Sequence, residues 1–356
     1  MRFRQAQGGL PRDSFQSKMS ATTNPHAPRI PWLRIIVRSL LLLVILLATA
    51  GFLFENISET RDRRFNSMPG RLVDVGGYKM HVDCTGEGSP VVILDADLGD
   101  SYISWRKVQP EIAKVSRVCS YDRAGLGFSD SSPHPRTSKV IAEELHTLLH
   151  DAGITGPVIL VGHSMGGYDV RLFASLYRNE VAGMVLVDAS HPEQQKRFPP
   201  ALNDLDAGWL REEEFLEFAT LFGIPRLLGF CGKDAKVRAA ECNFDSAREG
   251  VAELKAFPES AAQTATTGSL GDMPLMVLSH DPSTPHPDLP EDLVKPTNDA
   301  WQKMQTELAQ LSTRGAQVIA KNSGHYIQLD RPDIVIEGVR NVVGQVRASS
   351  APAFTP

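Results

Sequence analysis

The sequence lacks the motifs that most often bind nucleotides and metal ions. It contains no phosphate-binding loop, no dinucleotide-binding glycine pattern, no HExxH zinc motif and no internal repeat. An excess of basic residues is also missing, because 37 Lys and Arg stand against 42 Asp and Glu and give a formal net charge of −5. We therefore expect no cofactor, no bound metal ion and no nucleic-acid partner.

Cysteine is scarce as well, with four residues in a chain of 356. Their spacing matches no zinc site. Four cysteines allow three pairings into two disulfides, and four free thiols are an alternative. Cys231 and Cys242 lie in one segment, where a disulfide between them would close a small loop. Hydrophobic residues make up 42% of the chain, which is enough to bury a large core.

One long hydrophobic run lies near the N-terminus. Residues 39–54 carry no charged side chain, and a start at Ile35 gives about 20 residues, enough to cross a bilayer as a helix. We predict a transmembrane helix or signal anchor over residues 33–54. Asp13 is the single acidic residue ahead of this run. The basic residues that precede or enter it are Arg2, Arg4, Arg12, Lys18, Arg29, Arg34 and Arg38.

This charge distribution predicts a cytoplasmic N-terminus, with the rest of the chain on the opposite side of the membrane. Residues 1–30 are polar and contain proline, so we expect a disordered cytoplasmic tail there. We expect residues 55–69, which are rich in charge, to form a linker. Two alternatives stay open for the run itself: a secretory signal cleaved near Ala50, and a buried core helix.

The pentapeptide Gly162-His163-Ser164-Met165-Gly166 carries the strongest chemical signal in the chain. An apolar run precedes it and an amphipathic stretch follows it, which predicts a strand, a sharp turn and a helix with Ser164 at the apex. Flanking glycines allow strand and helix to approach closely. The serine oxygen would then lie near a helix N-terminus, where developing negative charge is stabilised. We predict that Ser164 is a nucleophile.

An acyl-transfer serine needs a base to accept its proton and an acid to orient that base. In a strand–turn–helix setting of this type the acid and then the histidine follow the serine along the chain. His325 lies in a loop just after the short apolar strand predicted at residues 316–320, so it can reach over the sheet edge toward Ser164. We predict that His325 is the base.

Together these features resemble the α/β-hydrolase-fold serine hydrolases over about residues 70–345. The landmarks that carry the resemblance are residues 90–94, Gly99, Trp105, residues 121–129, the Ser164 turn, residues 183–188 and residues 323–325. The resemblance implies an α/β fold with a mostly parallel eight-stranded sheet flanked by helices, preceded here by one N-terminal transmembrane helix. It also implies a helical cap after strand 6, at about residues 192–272, and leaves residues 346–356 as a flexible tail.

The acid of the triad has two candidates. Asp188 ends the strand at residues 185–187, where some members of the family carry it. Asp281 follows the strand at residues 275–279, the commoner location, but family members usually place the acid two residues later, where this chain has Ser283. We prefer Asp188 and keep Asp281 as the alternative. By the same resemblance, Asp122 and Arg123 shape the loop beside the site and are not catalytic.

The oxyanion hole requires two backbone N–H groups. Met165, directly after the nucleophile, is expected to supply one. Alignment with the family gives the second to Asp97, with Ala96 or Leu98 as alternatives. Many relatives have His-Gly in this loop, whereas this chain has an acidic loop at residues 95–100. We expect the carboxylate of Asp97 to point outward, because an inward carboxylate would disfavour the oxyanion.

Further expectations concern packing and disulfides. Phe215, Phe218 and Phe222 recur at helical spacing in the cap, and we expect them to form the packed face of a helix, with an acyl pocket as the alternative. A second helix is expected to bury Trp301, Met304, Leu308 and Leu311. Because the second and fourth strands are neighbours in this fold, a Cys84–Cys119 disulfide is also possible.

The sequence therefore predicts a serine hydrolase that cleaves a carboxylic ester or related acyl compound through an acyl-enzyme. Its partners would be a small acyl substrate and, through the N-terminal helix, a membrane. Two alternatives are a catalytically dead hydrolase fold acting as an exported binding module, and a cofactor-free perhydrolase. We expect the catalytic domain to be membrane-tethered outside the cytoplasm, or secreted if the chain is cleaved near Ala50. The oligomeric state is not predicted.

Overall fold

Eight strands form a single sheet in the computed structural model, which describes residues 31–285 and 289–350. The strands are β1 Arg71–Asp74, β2 Lys79–Thr85, β3 Val92–Asp95, β4 Val118–Tyr121, β5 Val158–His163, β6 Val181–Val187, β7 Leu275–His280 and β8 Gly315–Ala320. Their order is β1-β2-β4-β3-β5-β6-β7-β8. The pairs β1–β2 and β2–β4 are antiparallel, and all later pairs are parallel. The predicted mostly parallel eight-stranded sheet is confirmed.

Helices precede, flank and cap this sheet. They are α1 Pro31–Phe65, α2 Gln109–Ile112, α3 Ser138–Asp151, α4 Gly166–Leu176, α5 Gln194–Arg197, α6 Ala201–Thr220, α7 Ile224–Leu228, α8 Ala235–Glu241, α9 Phe244–Thr264, α10 Glu291–Ala309, α11 Ile327–Asp330 and α12 Pro332–Ser350. Two short 3₁₀ turns, Tyr102–Trp105 and Arg178–Glu180, complete the regular structure of the described residues.

The two faces of the sheet bury alternate residues of the same strands. In β5, Leu160 belongs to one apolar cluster, with side chains of α3 and α4, while Ile159 and Val161 belong to the other, with side chains of α2 and α12. Such alternation follows from the strand repeat of two residues. Strands of a parallel sheet that is covered by helices on both faces have continuous apolar sequences, as β5 has. Because both faces are covered, the ends of the strands and the loops that follow them are where polar functional side chains can lie.

The cap lies between β6 and β7 and consists of α5 to α9. The expectation for its aromatic stripe is wrong: Phe215 and Phe218 on α6 are 64% and 60% exposed. Phe222 is half-buried, with its ring 5.3 Å from that of Phe218. The helix buries Ala219 and Thr220 instead, so its packed side is not the aromatic one. The other expected stripe holds, since Trp301, Met304 and Leu308 on α10 are buried and Leu311 is partly buried.

The chain divides into two units, Met1–Leu47 and Ala48–Pro356. In the first unit the described residues are helical, and the candidate membrane span to which they contribute is long and apolar enough to cross a bilayer. The predicted cytoplasmic tail, residues 1–30, lies outside the described residues.

In the second unit α1 continues to Phe65, so the expectation of a linker over residues 55–69 is wrong for residues 55–65. Glu55 and Asp62 are seven residues apart and therefore share one helix face. Both pair with Arg226 of α7, and Nε of Arg226 lies 3.0 Å from the Glu55 carboxylate. Two of the charges that resembled a solvated linker are thus ion-pair partners of the cap.

The C-terminal boundary also differs from the expectation. Helix α12 runs to Ser350, so residues 346–350 continue the last helix and do not form a tail. Residues 351–356 lie outside the described residues. Disulfides join Cys84 to Cys119, which face each other on β2 and β4, and Cys231 to Cys242 in the cap. The alternative of four free thiols is therefore wrong.

Buried Arg123 connects the sheet edge to the cap. Its guanidinium donates to Glu253 of α9 at 2.7 and 2.8 Å and to Asp95 at 3.0 Å. It also donates to the backbone carbonyls of Ala96, at 2.8 Å, and of Asp97. One cation thus neutralises two buried carboxylates and holds the loop after β3 in place. This agrees with the expected loop-shaping role of Arg123.

We predict that Arg123→Met lowers the free energy of unfolding by about 3–5 kcal/mol, because two buried carboxylates lose their counter-ion. Urea denaturation of the detergent-solubilised chain, followed by circular dichroism, measures the change. Arg64→Met, at an exposed arginine of α1, is the matched control. Equal stability of the two variants would show that the buried ion pairs contribute nothing to folding.

Candidate active site

The turn at Ser164 forms where β5 ends and α4 begins. Ser164 has a φ of +50°, a conformation that L-residues adopt rarely and at a cost. A Cβ on Gly162 would lie 2.4 Å from the carbonyl oxygen of Gly166, and one on Gly166 would lie 2.6 Å from that of Ala96. Neither position has room for a side chain. The two glycines therefore permit the strained turn, and Ser164 lies at its apex with 8% exposure.

His325 and Asp188 meet across the ends of the strands. His325 Nδ1 lies 2.6 Å from Asp188 Oδ2, and Asp188 is fully buried just after β6. Burial raises the pKa of Asp188, but hydrogen bonds from His280 and His325 outweigh burial and hold that pKa far below its usual value. Asp188 is therefore ionised. Of the two predicted acids, it is the one that contacts His325.

Asp281 has a different setting. One of its oxygens accepts the backbone N–H of Asn322 at 3.0 Å, and the other accepts the N–H and the hydroxyl of Ser283 at 3.0 and 2.7 Å. These hydrogen bonds lower the pKa of Asp281. Among the described residues, no hydrogen bond or ion pair joins Asp281 to His325. Asp281 fastens the loop that carries His325.

The carboxylate of Asp97 points into the site, which contradicts the expectation that it points outward. Its Oδ1 lies 2.6 Å from the N–H of Leu98 and 3.4 Å from that of Met165. Its Oδ2 lies 3.5 Å from His325 Nε2. The N–H group that converges with that of Met165 is thus the one on Leu98, a residue weighed only as an alternative. Two backbone donors and a histidine attract a carboxylate, which accounts for the inward orientation.

The electrostatics at this point are those of a closed ion network. Burial lowers the pKa of His325, but the hydrogen bonds to Asp188 and Asp97 outweigh burial and raise the pKa to about 10. Burial raises the pKa of Asp97, and its hydrogen bond to His325 more than compensates and lowers that pKa well below the usual value. At neutral pH His325 is accordingly an imidazolium ion between two carboxylates.

A second histidine of the turn, His163, lies beside this network. Its Nε2 donates to the carbonyl of His325 at 3.0 Å, and its Nδ1 accepts from Gln328 Nε2 at 3.0 Å. Burial lowers the pKa of His163 to about 4, so the ring is neutral. Ligand atoms of Asp97, His163 and His325 lie within 4.8 Å of one another, a spacing that could hold a metal ion. Both nitrogens of His163 are already engaged, and Asp97 is paired with Nε2 of His325, so the cluster fits a metal poorly.

Two residues that contact Asp188 were not identified as site residues from the sequence. Trp301 Nε1 donates to Asp188 Oδ1 at 2.8 Å, and His280 donates through both its backbone N–H and its ring. The helical spacing of Trp301 predicts a core residue. This is correct for its buried ring, but it does not indicate the hydrogen bond that its N–H donates to Asp188. His280 ends β7, and a polar residue at the carboxyl end of a parallel strand is the signal that could have identified it.

Comparison with known proteins gives consistent matches. A family model described as alpha/beta hydrolase fold matches residues 89–332. The chain is 25% identical over 269 residues to the uncharacterized protein YqjL of Bacillus subtilis, covering 76% of this chain and 89% of that protein. It spans half or less of the length of several other curated relatives.

Solved structures match over most of the chain. A thermophilic esterase from Thermogutta terrifontis has a TM-score of 0.55 at 23% identity, covering 78% of this chain and 98% of that one. A haloalkane dehalogenase loop variant from Bradyrhizobium elkanii has a TM-score of 0.63 at 17% identity, covering 79% and 97%. Likeness at these identities shows a shared fold and does not identify the chemistry.

We predict that Asp97→Asn lowers the pKa of His325 by roughly 1–3 units, because the change removes one of the two anions beside the ring. Titration of isotope-labelled histidine by NMR measures this pKa, and the signal is assigned by its loss in His325→Gln. Asp333→Asn, at an exposed carboxylate of α12, is the control and should leave the titration unchanged. An identical titration in Asp97→Asn and wild type would contradict the contact between Asp97 and His325.

Proposed function

The chain belongs to the α/β-hydrolase family and is a hydrolase, and we propose that it cleaves carboxylic esters or related acyl compounds through Ser164, His325 and Asp188. The observation that carries the proposal is the 2.6 Å contact between His325 and Asp188 beside the strained turn of Ser164. An orienting acid on Nδ1 leaves Nε2 of the histidine to face the nucleophile.

The proposed reaction begins when Ser164 attacks the substrate carbonyl and His325 Nε2 accepts the serine proton. Asp188 keeps the Nδ1–H tautomer and stabilises the imidazolium that forms. The N–H groups of Met165 and Leu98 bind the tetrahedral oxygen, because their present convergence on one carboxylate oxygen marks a site for a negative oxygen. Protonated His325 then gives its proton to the leaving alcohol oxygen as the acyl carbon–oxygen bond breaks. The ring, now neutral, accepts a proton from a water molecule that attacks the acyl-enzyme, and it returns that proton to Ser164 as the acid is released.

This reaction requires the Asp97 carboxylate to leave its present position. Its Oδ1 occupies the place that the substrate oxygen would take, and its charge keeps His325 protonated. We therefore assign the described geometry to a resting state. Rotation of the Asp97 side chain out of the site ends this state, because it frees both the oxyanion donors and the base. A carboxylate at this position also repels anionic groups, so neutral acyl compounds are the favoured substrates.

One observation favours a second function. An anion of the protein's own that fills the oxyanion hole is also what a binding module without catalysis would show. The hydrogen bond between His325 and Asp188, together with a serine at the apex of the strained turn, supports catalysis over that alternative.

We also propose that α1 anchors the hydrolase to a membrane, with the catalytic domain outside the cytoplasm. The apolar length of the helix and the basic residues before it support this topology. The disulfides Cys84–Cys119 and Cys231–Cys242 support it independently, because disulfides persist mainly in oxidising compartments. The helix continues through Ala50 to Phe65 without interruption, which favours an anchor over a cleaved signal.

We predict that a fluorophosphonate probe labels the detergent-solubilised chain and that Ser164→Ala abolishes labelling. Asp188→Asn should slow labelling by about 10⁴-fold, the usual cost of the wrong histidine tautomer. Asp281→Asn is the matched control and should label at nearly the wild-type rate, since Asp281 contacts the loop backbone and not His325.

The variant Asp97→Asn distinguishes an enzyme in a resting state from a protein without catalytic activity. Labelling of this variant at a higher rate than wild type would support the resting-state interpretation. Absence of labelling in both folded proteins would sink the serine hydrolase proposal and leave the binding module in its place.

A further inference from the structure

Two histidines share the carboxylate of Asp188. Besides His325 Nδ1 at 2.6 Å, the ring Nδ1 of His280 lies 3.0 Å from Oδ1 and 2.9 Å from Oδ2. The backbone N–H of His280 donates to Oδ1 at 3.0 Å, and Trp301 Nε1 donates to the same oxygen at 2.8 Å. An ionised carboxylate only accepts hydrogen bonds, so His280 Nδ1 carries a proton.

The other nitrogen of His280 also carries a proton. Nε2 lies 3.1 Å from Oδ1 of Asn298 on α10. The orientation of that amide is fixed, because Nδ2 of Asn298 donates to the carbonyl of Pro282 at 2.9 Å, and a carbonyl only accepts. The oxygen of the amide therefore faces His280. Since both ring nitrogens face acceptors, the ring satisfies its surroundings only when doubly protonated.

We propose that His280 is a positioning residue, held as a buried imidazolium ion, that shares Asp188 with His325 and limits how strongly His325 holds its proton. The proposal rests on the triad of Ser164, His325 and Asp188 put forward above. It adds a fourth group, a cation whose ring nitrogen contacts both oxygens of the acid.

The charges around His280 are consistent with this role. Asp188 faces the ring from the end of β6, Asn298 and Trp301 face the ring and Asp188 from α10, and His325 approaches from the loop after β8. Burial lowers the pKa of His280, but the hydrogen bond and charge of Asp188 outweigh burial and raise it. The positive charge of His325 opposes that rise.

The consequence for His325 follows from the same repulsion. Asp188 attracts the proton of His325 and raises the pKa of that ring, while a second cation on the same carboxylate counters part of this attraction. Without the cation, the pKa of His325 would rise, and less of the ring would be a free base near neutral pH. His280 thus keeps a carboxylate with four hydrogen-bond donors from making His325 too basic to act.

The test is His280→Gln, which keeps amide donors and acceptors between Asp188 and Asn298 and removes the charge. We expect the acidic limb of the kcat/KM profile for a neutral ester to move up by about 1 pH unit, with little loss on the high-pH plateau. NMR should show the same upward shift in the pKa of His325. His150→Gln, at an exposed histidine, is the control and should leave both unchanged. An unshifted limb and an unshifted His325 titration would overturn the proposal.

A measurement on wild type covers the case in which His280→Gln fails to fold. Nitrogen-15 spectra of labelled histidine should show both ring nitrogens of His280 protonated from pH 6 to pH 8. A neutral His280 ring in that interval would overturn the proposal. This readout needs no turnover, so absence of ester hydrolysis would contradict the proposed function while the spectra still decide the state of His280.

Discussion

The close approach of β5 to α4 at Ser164 is the constraint on which the site depends. Because Gly162 and Gly166 lack side chains, the turn can be tight enough to place Ser164 at a φ of +50°. The backbone of the same turn is tied to the end of β6, since Ser164 N donates to Val187 O at 3.1 Å and Ser190 N donates to Ser164 O at 2.9 Å. The proposed nucleophile, Ser164, and the proposed acid, Asp188, are therefore held in one hydrogen-bonded frame.

Around this frame the charges alternate in sign. Asp97, His325, Asp188 and His280 form a sequence of anion, cation, anion and cation, joined by contacts of 3.5, 2.6 and 2.9 Å. Each group stabilises the ionised form of its neighbours, so the arrangement is stable and His325, which stays protonated, cannot act as a base. In our proposal, substrate binding displaces Asp97 and leaves His325 with one anion in place of two. His280 then limits the remaining attraction of Asp188 for the His325 proton. The resting state is in this way connected with the basicity of His325 during catalysis.

The resemblance carried by a few local landmarks was sufficient to predict the sheet. It also selected Ser164, His325 and Asp188 as site candidates, and the structure brings the last two into contact. A glycine-flanked serine between an apolar strand and a helix has few alternative structures, and the chain order of acid and histidine follows from the fold. The prediction of an outward Asp97 carboxylate is wrong, because the orientation depends on N–H groups of Leu98 and Met165 that converge only in the folded chain. His280 and Trp301 are 92 and 113 residues from Asp188, so no local pattern indicates that they contact it, although the place of His280 at the end of β7 marks it as a site candidate. The expectation of a linker after the apolar run fails over residues 55–65 for the same reason, since Arg226, the partner of Glu55 and Asp62, lies in the cap.

The most direct measurement of the central claim is rapid-quench mass spectrometry of the chain mixed with a neutral ester of a good leaving group. Wild type and Asp97→Asn would be quenched in acid within milliseconds and digested, and the peptide that contains Ser164 would be weighed. We predict an acyl group on Ser164 that appears with the first released alcohol, at higher occupancy in Asp97→Asn. Ester turnover without any adduct on Ser164, or with the adduct on another residue, would contradict the proposed mechanism.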